Sequence, residues 1–76
     1  MNTPIPIVYT IHGCGACMKL LDRLRTEGVD YEERRADLSQ KVLEEARRYG
    51  SVVPIVVWPD GTVEQGFEDS IGCFIV

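Results

Sequence analysis

Residues 5–17 read IPIVYTIHGCGAC. An almost continuous apolar run, 5–10, leads through Ile11, His12 and Gly13 into two cysteines separated by Gly15 and Ala16. A short β-branched run of this kind predicts a strand buried on both faces. Beyond it the apolar spacing changes to helical intervals. Met18, Leu21 and Leu24, or Cys17, Leu20 and Leu24, give an apolar stripe from Cys14 or Gly15 to Glu27, and Gly28 stops the helix. The cysteine pair therefore lies at a strand-to-helix junction.

Working outward, residues 29–35, rich in charge with Val29 and Tyr31 interleaved, predict a second strand near a sheet edge. Asp37 or Ser39 can cap a second helix that turns Val42, Leu43, Ala46 and Tyr49 inward and ends at Gly50. Residues 52–58 form another buried-type strand, and the Pro-Asp-Gly at 59–61 predicts a hairpin turn into a strand at 62–65. Residues 69–76 suit at most a short last helix of barely two turns. The order is β-α-β-α-β-β-(α). Right-handed crossover makes the first two strands parallel, and the last two are antiparallel. The expected fold is α/β (an α+β sandwich), with a mixed four-stranded sheet flanked by helices and a truncated last helix.

At 76 residues there is room for one domain, 1–76. The 45% apolar content suits a folded chain, and no apolar run is long enough to span a membrane. The start, MNTPIPIVYT, lacks the basic region of a signal peptide, so a cytoplasmic location is expected. A net charge of -4 argues against nucleic-acid binding. Every Lys and Arg lies at or before Arg48, which leaves 51–76 acidic and suited to a basic patch on a protein partner, or simply to a solvated surface.

Three roles are open to Cys14 and Cys17. A disulfide between them closes a very short loop and would stabilise the chain by only roughly 2 kcal/mol. A zinc site needs two more ligands, for which only Cys73 and the single histidine, His12, are available, and no second half-motif exists. A redox couple fits the position best. The free N–H groups and macrodipole at a helix start favour an anion, so Cys14 becomes the attacking thiolate and Cys17, one turn inward, resolves. The third cysteine, Cys73, reads as a small buried hydrophobe, a secondary redox thiol or a point where two chains join.

On VYTIHGCGAC, on VVPIVV about forty residues later and on WPDGTVEQGFEDS, the chain resembles the glutaredoxin-type members of the thioredoxin-fold superfamily. The resemblance covers nearly the whole length. It implies a dithiol–disulfide oxidoreductase that acts on protein disulfides as a monomer. It also implies glutathione as co-substrate and no permanently bound cofactor. It further implies that Pro54 is cis and faces the dithiol, and that the exposed backbone of Val53 pairs with a substrate's extended chain. By the same resemblance, the backbone of Phe67 and Glu68 and the carboxylate of Asp69 hold the γ-glutamyl end of glutathione, with Gly66 among the glutathione or substrate contacts. Asp69 has the alternative of capping the last helix.

Ile11 stands where that family commonly has a lysine, and the residues between the cysteines are Gly-Ala rather than Pro-Tyr. Two alternatives therefore stay open. One is a small redoxin that serves ribonucleotide reductase and is recharged by thioredoxin reductase. The other is a binding module that holds an iron–sulfur cluster or zinc through Cys14.

Overall fold

The computed structural model describes residues 4–66 and 72–75. Its first strand, β1 (Ile7–Thr10), runs into helix α1 (Gly15–Thr26), followed by β2 (Glu32–Arg35) and α2 (Gln40–Tyr49). Strands β3 (Val52–Val53), β4 (Ile55–Val57), β5 (Val63–Gln65) and β6 (Cys73–Phe74) complete the order. The main sheet is β2-β1-β4-β5, with β1 parallel to β2 and antiparallel to β4, and β4 antiparallel to β5. This is an α/β architecture with a mixed four-stranded sheet and two helices, consistent with a glutaredoxin-like thioredoxin fold.

Alternation along the two central strands divides the core. Val8 and Val56, opposite one another, pack with Leu20, Leu21 and Leu24 of α1. Their neighbours Tyr9 and Ile55, also opposite, lie in a second cluster with Ala46 of α2. Successive side chains of a strand point to opposite faces, so two central strands feed two cores. Charged β2 takes one edge of the sheet and β5, exposed throughout, takes the other.

Local chemistry sets the boundaries. Ser39 caps α2, its hydroxyl accepting from the Val42 N–H at 3.4 Å, and Gly50 ends that helix. At the hairpin, Gly61 N–H bonds the Trp58 carbonyl at 2.9 Å and Trp58 N–H bonds the Thr62 carbonyl at 2.8 Å. Gly61 has φ 95, the left-handed region that closes a three-residue hairpin loop. Tyr9 links α2 to the sheet: its hydroxyl donates to Glu45, which also accepts from Arg34 at 2.8 Å.

Of the two stripes open to α1, the one through Cys17, Leu20 and Leu24 is buried, joined by Ala16 and Leu21, while Met18 is 67% exposed. Three expectations are corrected. Tyr49 is not buried; its ring leans on Tyr9 at 5.9 Å instead. The run 52–58 is two strands, because Pro54 has no N–H to give a continuous ladder. Cys73–Phe74 is a strand paired with β3, where a short last helix was expected. Non-local pairing won over the weak helical preference of so short a segment. Residues 69–71 and 76 of that expected helix lie outside the described residues.

Candidate functional site

Strand β1 ends at Thr10, whose hydroxyl donates to Glu33 at 2.7 Å and ties β1 to β2. The chain then turns through Ile11, His12 and Gly13, and Cys14 becomes the N-cap of α1 with extended backbone (φ -88, ψ 110). Cys17 follows inside the first turn. Both cysteines are buried, Cys14 completely. Asp37 steadies the approach: Arg35 grips it at 2.7 and 2.6 Å. That Arg35 hydrogen bond, with a further one from the His12 backbone, holds the Asp37 carboxyl down at about 2.

The Val53–Pro54 bond is cis. The Cys14 thiol lies 3.9 Å from the Val53 carbonyl oxygen, to which it donates. Gly66 N–H donates to the Pro54 carbonyl at 2.9 Å, so Gly66 also lies beside this segment. The structure thus brings Cys14, Cys17, Val53, Pro54 and Gly66 into one neighbourhood. Phe67, Glu68 and Asp69, expected to contact glutathione, lie outside the described residues.

Val53 differs from expectation in one respect. It is fully buried, and its strand edge is occupied by β6, with Val53 opposite Cys73. Cys73 packs against the cluster that holds Cys14 and stands opposite Val53, whose carbonyl oxygen the Cys14 thiol meets. Sequence reasoning did not place Cys73 in the site. No local motif marks it, and only the pairing of β6 with β3 carries it there.

The electrostatics separate the three thiols. Burial pushes the Cys14 thiol up, but hydrogen bonds from Cys73 and Cys17, with the Ala16 and Cys17 amides, outweigh it and set the group below an ordinary thiol. No strict side-chain cap bond closes at Cys14, yet these amides still favour negative charge on its sulfur. Burial, and then the hydrogen bond it gives to Cys14, push Cys17 up to about 12. Cys73 is raised by its bond to Cys14 and by burial. Disulfide exchange starts from a thiolate, and of the three thiols Cys14 is the one whose surroundings favour ionisation.

The pH dependence follows in sign. Because folding lowers the Cys14 value, its thiolate contributes stability above the unfolded thiol value of 9.0, and this is lost as pH falls through the lowered value. Cys17 is opposite: its contribution is complete below 9.0 and is lost as pH climbs towards about 12. Iodoacetamide labelling followed by mass spectrometry should therefore modify Cys14 at lower pH than Cys17. Equal pH midpoints for the two would show that the environment of Cys14 does not favour its thiolate.

Among the described residues, no group of three or more His, Cys, Asp or Glu is placed to hold a metal ion, and no helix is long and apolar enough to cross a membrane. The family profile described as Glutaredoxin matches residues 7–63. That span is most of the chain and includes both cysteines of the pair, Val53 and Pro54, so the chain belongs to the glutaredoxin family, a family of thiol–disulfide oxidoreductases. No curated protein matches it.

Proposed function

We propose that this glutaredoxin-family chain is a dithiol–disulfide oxidoreductase in which Cys14 attacks, Cys17 resolves and glutathione recharges the pair. The observation that carries the reading is the buried Cys14 sulfur, lowered by neighbouring thiols and helix amides and set against Val53. The Cys14 thiolate attacks one sulfur of a substrate disulfide and expels the other as a thiolate, which takes up a proton. Cys17 then loses its proton, attacks the Cys14 sulfur and releases the second substrate thiol. The product is a Cys14–Cys17 disulfide, and the two electrons have passed to the substrate. One glutathione reopens that disulfide as a Cys14 adduct, and a second removes the adduct as glutathione disulfide.

In this reading Val53, Pro54 and Gly66 border the glutathione or substrate site, with Phe67, Glu68 and Asp69 assigned to it by family resemblance. The chain acts as one domain and a monomer on protein disulfides in the cytoplasm. Its net charge of -4 gives no reason to expect nucleic acid as a partner.

One observation favours a different reductant. Ile11, half-buried against the Cys14 cluster, offers no cation to the glycine-end carboxylate of glutathione. A hydrogen bond to a charged group is worth about 1.5–3 kcal/mol. Glutathione should therefore recharge the protein weakly, and Ile11→Lys should raise the rate at low glutathione by roughly tenfold. The test compares turnover driven by glutathione with its reductase against turnover driven by thioredoxin reductase. No turnover with glutathione and rapid turnover with thioredoxin reductase would replace the glutathione assignment.

A further inference from the structure

We propose that β6 is an internal pseudo-substrate: it fills the Val53 edge and presents Cys73 to Cys14 as a third redox thiol, forming a Cys14–Cys73 disulfide that interchanges with Cys14–Cys17. This rests on the dithiol reading above and extends it to a residue that the paired-cysteine motif does not include.

The placement is built rather than incidental. β6 runs antiparallel to β3 with Val52 opposite Phe74 and Val53 opposite Cys73. The Ile75 N–H donates to the Ser51 carbonyl at 2.8 Å and extends the attachment. Side chains alternate as a strand requires: Phe74 is 71% exposed, while Cys73 and Ile75 turn towards the cluster that contains Cys14, Cys17 and Val53. Gly72 sets the approach. It has φ 112, and a Cβ there would collide with the Val53 carbonyl oxygen. Only glycine brings the tail this close to β3.

A peptide that added a strand at this edge would put one residue opposite Val53, beside the Cys14 sulfur. Cys73 holds that position within the chain. Cys14 itself is fully buried and β6 occupies the Val53 edge, so a substrate that pairs with that edge must displace β6. The chemistry needs no outside oxidant. Cys73, as thiolate, attacks the Cys14 sulfur of the Cys14–Cys17 disulfide; the Cys14–Cys73 bond forms, Cys17 leaves as thiolate and takes the proton. Likewise, a mixed disulfide on Cys14 is resolved by Cys73 with release of the substrate thiol. With all three thiols free the tail already pairs with this edge; the internal disulfide locks it there, and reduction removes the lock.

The test treats the full-length Cys17→Ser protein with glutathione disulfide at low protein concentration, followed by alkylation, non-reducing digestion and mass spectrometry. The expected product is a monomer with a Cys14–Cys73 cross-link, reached through a transient glutathione adduct on Cys14. In Cys17→Ser/Cys73→Ser the adduct should persist. In Cys17→Ser/Gly72→Ala, which keeps both thiols, the cross-link should form at least about tenfold more slowly. A lasting adduct on Cys14 of Cys17→Ser, with Cys73 open to alkylation, overturns the inference and leaves the dithiol reading intact. A Cys73–Cys73 linked dimer also overturns it. Failure of Cys14 to take up glutathione in any of these proteins overturns both.

Discussion

Cys14→Ser is expected to abolish dithiol–disulfide exchange, with a fall of at least about a thousandfold in the reduction of a protein disulfide. The sulfur is the reacting atom, and a serine hydroxyl neither ionises near neutral pH nor forms a disulfide. Folding should survive the change. Cys14 occupies the N-cap of α1, a position where serine ranks among the most favourable residues. An inactive protein with an unshifted urea midpoint would therefore assign the loss to chemistry. Cys17→Ser should behave differently: Cys14 still accepts a glutathione adduct, but release of a protein substrate through Cys17 is lost. Exchange that persists without Cys14, at a rate near that of the parent, would move the nucleophile elsewhere and sink the assignment.

The sequence alone disclosed this junction because local signals agreed there. A β-branched run, two glycines and a C-x-x-C pair followed by a 3.6-residue period all point to a strand feeding a helix with a thiol at its start. The Pro-Asp-Gly hairpin, the Ser39 cap and the charged edge strand were legible for the same reason: each is fixed within a few residues. What escaped was non-local. Met18 and Leu20 are both apolar and two positions apart, and only the position of the sheet decides that Met18 faces out while Leu20 is covered. β6 has two residues and no periodicity of its own, so nothing within residues 72–75 announces that it pairs with β3. Cys73 then enters the site by that pairing alone. The same pairing buries Val53, whose edge looked open in sequence because its occupant lies about twenty residues downstream.

The second large effect is on stability, and it shows why so small a fold leaves little room for change around its site. A chain of this length has a total stability of roughly 4–11 kcal/mol. Ile55 is fully buried, the first residue of β4 after Pro54, opposite Tyr9 and in the same cluster as Cys14, Cys17 and Val53. Removing its side chain deletes three carbons from the middle of that cluster. Rigid strands on one side and α2 on the other limit how far the cavity can close. A cost of about 2–5 kcal/mol is expected for Ile55→Ala, a large share of the total. With a urea slope near 1 kcal/mol/M for a chain this small, the midpoint should fall by roughly 2 M or more, or the protein should be unfolded without denaturant. Val63→Ala on exposed β5 is the matched control, since its side chain already meets solvent, and it should shift the midpoint by only a few tenths of that amount. Similar small shifts for the two variants would mean that the cluster beneath the cysteines does not hold the fold together.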